Sequence, residues 1–311
     1  MASRPLVAVQ PGLQKEYLAA IALGGGVAAD LSSSTTGLVW TDSQAPEKLL
    51  SLLKSHPGVE WVQLPFAGVD NFALVFEWAV ENGLEIRFTS AKGAYREPVA
   101  EHALMLALAL ARAIPERLEA KSWGRKFAAT LYDANAVIIG GGGITEELIR
   151  LLRPFRTKIT VVRRTPMAID GADEITTLSD LNRVLPDADF VFLASALTPE
   201  TRGLFDAQRF LLMKETSYFI NIARGPIVVS EDLASALRSK TIAGAGIDVT
   251  DPEPLPDGHY LWDAPNLIIT PHSADTPEMC VSLLASRIAQ NVEAKIENNP
   301  LVGLVDLKLG Y

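Results

Sequence analysis

The sequence predicts an α/β protein built of two Rossmann-like, doubly wound parallel-sheet domains with a cleft between them. Three observations lead there. Short apolar runs alternate with helical patterns along nearly the whole chain. A strand–glycine–helix unit opens a second such series near residue 136. The 311 residues correspond to about two domains. A chain of this size buries about 75% of the surface it exposes when unfolded, which excludes disulfide-stapled and metal-nucleated miniature folds.

The first series starts with the apolar run 6–9, ended by Pro11-Gly12. Runs 37–40 and 59–64 are further strands, and 84–88 closes the series. Between them, leucines at 49, 50, 52 and 53 fall at helical spacing. Gly24-Gly25-Gly26 reads as a plain turn. A long helix is expected from Glu97-Pro98 to about Glu119, because proline suits a first helical turn. Its stretch from Glu101 to Arg112 is apolar on every side, as in helices buried between layers, domains or subunits, and it points to a homodimer.

The second series offers strands at 136–139, 158–162, 190–193, 217–222, 244–247 and 267–269. Thr276-Pro277-Glu278 then reads as an N-cap, a first-turn proline and a helix-start carboxylate, opening a helix to about Glu297.

Charge and composition narrow the function. With 28 Lys+Arg against 37 Asp+Glu, the net charge is −9, which argues against nucleic acid or an anionic membrane as the main partner. The longest apolar helical run, 103–111, is half of what a bilayer requires. Pro11, Gln14, Lys15 and Glu16 interrupt the apolar stretch a signal peptide would need. The lone Cys280 can form no internal disulfide, so a reducing, cytoplasmic location is expected.

The glycine turn carries the first chemistry. Ile139 is followed by Gly140-Gly141-Gly142-Gly143-Ile144-Thr145, strand to turn to helix, the context of a dinucleotide fingerprint. The three fingerprint positions are Gly140, Gly142 and Thr145. Gly140 permits the tight turn, and Gly142 lets the backbone approach a pyrophosphate at a helix N-terminus. About 23 residues on, the next strand runs into Arg163-Arg164. An NAD-preferring protein places an acid there for the ribose 2′-hydroxyl. Two guanidinium groups instead fit a 2′-phosphate, so NADP is expected ahead of NAD, unless the pair simply faces solvent.

Three later strand ends carry polar residues: Arg224 after 217–222, Asp248 and Glu253 after 244–247, and His272 after 267–269. In open α/β sheets ligands bind beyond the carboxyl ends of strands. Reducing a 2-keto acid needs a cation for the carboxylate, a proton donor for the carbonyl oxygen and a partner that keeps the donor charged. Arg224, His272 and Glu253 supply these. Taken singly, each has an ordinary explanation as a surface arginine, a capping histidine or a loop glutamate.

Taken together, the runs 221–225, 248–256 and 270–274 resemble the D-isomer-specific 2-hydroxyacid dehydrogenases. Leu197-Thr198-Pro199-Glu200-Thr201, Met213-Lys214, Pro65-Phe66-Ala67-Gly68-Val69-Asp70 and Val99-Ala100-Glu101-His102 match that family too. The resemblance implies His272 as general acid and base, Glu253 as its partner, and Arg224 on the substrate carboxylate. Backbone N–H groups at Gly68 and Val69 would grip the same carboxylate. It implies a cofactor site of Gly140, Gly142, Gly143, Ile144, Arg163, Arg164, Leu197, Ala223 and Asp248, with Asp248 on the nicotinamide carboxamide and no metal. The implied reaction moves hydride between NADP or NAD and a small 2-keto or 2-hydroxy acid of the glyoxylate or hydroxypyruvate kind.

Two departures stand out: Thr145 replaces the third glycine, and Arg163-Arg164 stand where many NAD-using members carry an acid. Glu253 argues against the formate dehydrogenase branch, which has glutamine there. Residues 64–75 hold no Lys or Arg for a phosphorylated substrate. The competing reading is an NADP(H)-sensing, corepressor-like binding protein with little turnover. The expected domains are a discontinuous substrate domain, 1–100 plus 275–311, and a dinucleotide domain, 101–274.

Overall fold

A computed structural model of the chain describes residues 4–310. Residues 1–3 and 311, the outermost ends of the expected first domain, lie outside the described residues. The chain divides into two compact units, Met1–Tyr95 with Thr276–Tyr311, and Arg96–Asp275.

The first unit contains β1 (Leu6–Gln10), α1 (Lys15–Leu23), β2 (Val27–Ala28), β3 (Gly37–Trp40), α2 (Pro46–Ser55), β4 (Trp61–Gln63), α3 (Ala73–Glu81) and β5 (Arg87–Thr89). The second contains α4 (Arg96–Ala111), α5 (Ile114–Glu119), β6 (Asn135–Ile139), α6 (Gly143–Leu152), β7 (Lys158–Val162), β8 (Glu174–Thr176), α7 (Leu181–Val184), β9 (Phe190–Leu193), α8 (Ala207–Leu212), β10 (Tyr218–Asn221), α9 (Ser230–Arg238), β11 (Gly244–Ile247) and β12 (Leu267–Ile269). The last helix, α10 (Pro277–Glu297), belongs to the first unit.

Both sheets are wholly parallel. Their orders are β2-β1-β3-β4-β5 and β12-β11-β10-β9-β6-β7-β8. Parallel neighbours need a crossover of a dozen or more residues, which is why helices alternate with strands. Each order reverses once, between β1 and β3 in one sheet and between β6 and β9 in the other. Strands buried on both faces read as unbroken apolar runs, and every residue of β3 and β9 is buried. The first unit's core joins Leu38, Trp40, Leu49, Phe72, Phe76 and Phe88. In the second, Phe205, Phe210 and Phe219 form one ring cluster, with Phe205 and Phe219 centroids 4.7 Å apart. Among the described residues no helix is long and apolar enough to cross a membrane.

Two local expectations need correction. The long helix breaks into α4 and α5 around Ala113, which sits at φ +53°. Pro115 has no N–H to give the Ala111 carbonyl, which instead accepts from Ala129 N at 2.7 Å. The strand expected at 84–88 forms at Arg87–Thr89, because Leu84 N–H closes on Ala79 O and finishes α3. The triple glycine forms the expected turn; it leads into the short edge strand β2, which was not expected, and Gly24 lies against Ala289 and Val292 of α10 with no room for a side chain. The strand β8, Glu174-Ile175-Thr176, was not expected, because three residues are too short for their alternation to stand out.

Candidate active site

The second sheet brings three strand ends to one level. Asn221, Ile247 and Ile269 are register partners across β10, β11 and β12. The residues that follow them therefore emerge along one edge. Asn221 is buried, and its side chain accepts from Ala223 N at 3.0 Å and donates to Arg224 O at 3.3 Å. It bends the chain so that Arg224, half-buried, leaves the sheet with Nη1 on Ala223 O at 2.7 Å. Gly225 is compulsory here, since any Cβ would collide with the Thr250 carbonyl of the neighbouring strand end.

His272 follows β12 in the left-handed region, φ +49°, a conformation that costs roughly 1–3 kcal/mol and needs external support. Its N–H donates to Asp248 O at 2.8 Å. Its ring Nδ1 lies 2.6 Å from Glu253 Oε1, and Glu253 Oε2 accepts from Thr250 N at 3.3 Å. Nδ1–H therefore faces the carboxylate, leaving Nε2 as the atom that gains or loses a proton. The Glu253 hydrogen bond holds the His272 pKa above its ordinary value, against the opposing pull of burial and of the nearby Arg224 charge. Burial pushes Glu253 up, but the His272 hydrogen bond and charge, Thr250 N–H and Arg224 outweigh it, so its carboxyl sits below the usual value.

Asp248 is 2% exposed. Its oxygens accept from Thr270 Oγ1 at 2.5 Å, Ser273 N at 2.9 Å and Ala274 N at 3.0 Å. A carboxylate has about four acceptor directions, so one is left.

At the reversal point of the same sheet, β6 ends in the glycine turn. Gly140 has φ +125°, and a Cβ there would strike Ala194 O beyond β9. Around Gly142 the space a Cβ would fill is open, and α6 begins at Gly143. The first N–H groups of a helix have no intrahelical acceptor, so those of Gly143 and Ile144 are left for an external acceptor. Thr145 is fully buried, and its hydroxyl has no hydrogen-bond partner. These residues fit a pyrophosphate.

Past β7, Arg163 lies along Gly141, with Nη1 on Met167 O at 3.2 Å. It lines a groove of about 670 Å³ together with Arg150, Arg153 and Glu146. Arg164 is exposed, and its charge helps hold the Glu200 carboxyl below its usual value, after hydrogen bonds from Thr198 and from the Glu200 backbone. Leu197 is half-buried in a loop tied by Thr201 Oγ1 to Thr198 N and Ala196 O, and Ala223 is buried.

Gly68 and Val69 belong to the first unit, in the loop past β4. Val69 is buried and its carbonyl accepts from Phe72 N at 2.9 Å. The loop is held by Ala91 N on Phe66 O and by Tyr95 Oη on Pro65 O. Sequence reasoning missed Asn221 as a positioning group. Its only signal is a polar residue ending an apolar strand.

The NAD-binding-domain model of the D-isomer-specific 2-hydroxyacid dehydrogenases matches residues 103–274. This chain belongs to that family. It is accordingly an NAD(P)-dependent oxidoreductase of small 2-hydroxy and 2-keto acids. The glyoxylate reductase/hydroxypyruvate reductase of Homo sapiens is 32% identical over 243 residues, 75% of this chain and 73% of that protein. Glycerate dehydrogenase of Methylorubrum extorquens is 31% identical over 261 residues, covering 80% of this chain and 79% of that protein. A D-isomer-specific 2-hydroxyacid dehydrogenase of Xanthobacter autotrophicus, solved with NADPH and MES, superposes with a TM-score of 0.85 at 25% identity. That match covers 99% of this chain and 100% of that one.

Proposed function

We propose that this chain is an NADPH-preferring reductase of a small 2-keto acid of the glyoxylate or hydroxypyruvate kind, forming the D-2-hydroxy acid. The observation that carries the reading is the 2.6 Å His272–Glu253 contact beside Arg224. In reduction His272 Nε2–H protonates the carbonyl oxygen as it becomes an alkoxide, and in oxidation neutral Nε2 removes the hydroxyl proton. Glu253 fixes the tautomer and stabilises the imidazolium. Arg224 binds the substrate carboxylate and polarises the carbonyl. Bound NADPH supplies the hydride to substrate carbon 2.

The glycine turn and the N-terminus of α6 bind the pyrophosphate through Gly140, Gly142, Gly143 and Ile144. Leu197 and Ala223 flank the cofactor, and the remaining acceptor direction of Asp248 serves the nicotinamide carboxamide. Arg163 and Arg164, at a strand end that carries no acid, select the 2′-phosphate, and the NADPH in the Xanthobacter relative supports this choice. Gly68 and Val69 have backbone N–H groups of the kind that suit a carboxylate, and on this reading the first unit is the substrate domain and the second the dinucleotide domain. The named activity of the human relative supports the choice of keto acid.

The deciding experiment follows loss of reduced-nicotinamide absorbance across a panel of 2-keto acids with NADPH and with NADH. Turnover of glyoxylate or hydroxypyruvate, with higher kcat/KM for NADPH, is expected. No turnover of any keto acid with either cofactor would sink the reading in favour of a dinucleotide sensor. Exposed Met105, Ile114, Leu118 and Trp123 on and after α4 support a homodimer, to be checked by light scattering. With Cys280 as its one cysteine the chain can form no internal disulfide, which suits a cytoplasmic location that fractionation of the host cell would test.

A further inference from the structure

Asp248 is a bracket for the turn that carries His272. Its two oxygens hold Ser273 N and Ala274 N, its backbone carbonyl holds His272 N, and Oδ1 also accepts the Thr270 hydroxyl. That hydroxyl has a single hydrogen, which it gives to Asp248. Yet Thr270 Oγ1 also lies 2.9 Å from Nε2 of His102, 168 residues away on α4. With its hydrogen spent, Thr270 Oγ1 can only accept on that side. His102 must therefore carry a hydrogen on Nε2 and donate it. The same nitrogen is 3.5 Å from Asp248 Oδ1, so it faces the shared oxygen cluster, and its side chain is 15% exposed.

The cluster thus orders itself in one direction, from His102 to Thr270 to Asp248 to the three backbone N–H groups of residues 272–274. Without the His102 donor, the threonine hydroxyl is free to rotate away, and Asp248 Oδ1 loses the short contact that fixes its plane. The left-handed φ of His272 then loses part of its support.

We infer that His102 is a positioning residue for the proton-transfer step, acting through Thr270 and Asp248 on the orientation of His272. The inference rests on the reading of His272 as the acid–base group. It assigns to a helix outside the loop cluster a part in aligning Nδ1 on Glu253, and hence in aiming Nε2.

The test compares purified full-length variants in steady-state reduction of glyoxylate with NADPH. His102→Leu removes the donor, whereas His102→Gln keeps an N–H near the same place. His102→Leu should lower kcat by about 10- to 100-fold, the scale of a small misplacement at a reacting group. KM for glyoxylate should stay within about twofold, since Arg224 and not this chain of bonds holds the carboxylate, and Kd for NADPH should change much less than kcat, since Asp248 meets the cofactor only at its carboxamide. His102→Gln should recover most of kcat. Thr270→Val should match His102→Leu, and the double variant should be no worse than either single one, because all break one chain.

A wild-type kcat in His102→Leu, a glutamine variant no better than leucine, or additive losses in the double variant would each overturn the inference. If His102→Leu does not fold, Thr270→Val against Thr270→Ser asks the same question, with only the serine expected to keep kcat. His272→Ala run alongside separates the two levels. Activity retained there defeats the acid–base reading itself, whereas its loss together with a fully active His102→Leu defeats only the present inference.

Discussion

The two parallel sheets each begin with a strand, a turn and a helix at the point where strand order reverses, yet only one of these turns is built to hold an anion. In the first unit β1 leads into Pro11-Gly12-Leu13-Gln14 before α1. The turn carries a proline without an N–H, and Leu13 is 69% exposed. In the second, β6 leads into four glycines, the backbone takes φ +125° at Gly140, and α6 starts within the turn. Topology is shared; donors are not. The contrast extends to the other strand ends. The second sheet projects Arg224, Asp248, Glu253 and His272, whereas the loop past β4 presents Gly68 and Val69, with only backbone groups at those two positions. The fold supplies positions, and side chains and turn backbone decide which of them do chemistry.

The comparison can be broken most severely at the strand ends of the second unit. His272→Ala should lower kcat by about 10²- to 10⁴-fold, while NADPH binding followed by fluorescence stays unchanged. Weakened binding instead would mean that His272 holds the cofactor. At the two turns, Gly140→Val should weaken NADPH by about 100-fold, because a β-branched residue cannot adopt its φ and its Cβ meets Ala194. The matching change in the first unit, Gly12→Ala, has open space around it and should leave the titration unaltered. Equal losses at both sites would end the distinction drawn between the turns.

Replacing both Arg163 and Arg164 by Ala should weaken NADPH by about 10- to 100-fold, roughly 1.5–3 kcal/mol in all, the scale of one charged hydrogen bond, and leave NADH nearly unchanged. Parallel losses for both dinucleotides would remove the 2′-phosphate from the argument. Glu253→Gln removes the group that raises the His272 pKa. Reduction needs protonated His272, so its rate is full below that pKa and falls as pH rises through it. The falling limb should therefore move to lower pH in the variant, and the rising limb of the oxidation profile should move the same way. An unmoved limb would show that another group titrates. The smallest change is expected from Thr145→Val, which removes a buried hydroxyl without a partner and keeps the shape. Urea unfolding should show a gain of about 1 kcal/mol; a loss would mean that the hydroxyl is satisfied.

Legibility in the sequence followed the range of the interaction. The apolar runs of β3 and β9, and the mostly apolar β6 and β7, announced buried parallel strands, and Pro277 announced the start of α10, because burial and a first-turn proline are recorded in neighbouring residues. The three-residue β8 and the two-residue β2 were silent, since so short a strand exists only by pairing with one already formed. The break at Ala113 was readable from Pro115, but the rescue of the Ala111 carbonyl by Ala129 was not.

By itself the sequence determined the α/β class, the glycine turn at 140–143 and the residue types at the strand ends. Tertiary structure alone decided that Glu253 and His272, 19 residues apart, meet at 2.6 Å, and that His102 reaches Thr270 across 168 residues. Periodicity and turn chemistry act within a few residues, whereas these contacts follow from the register that sets Asn221, Ile247 and Ile269 side by side, and no local pattern encodes that register.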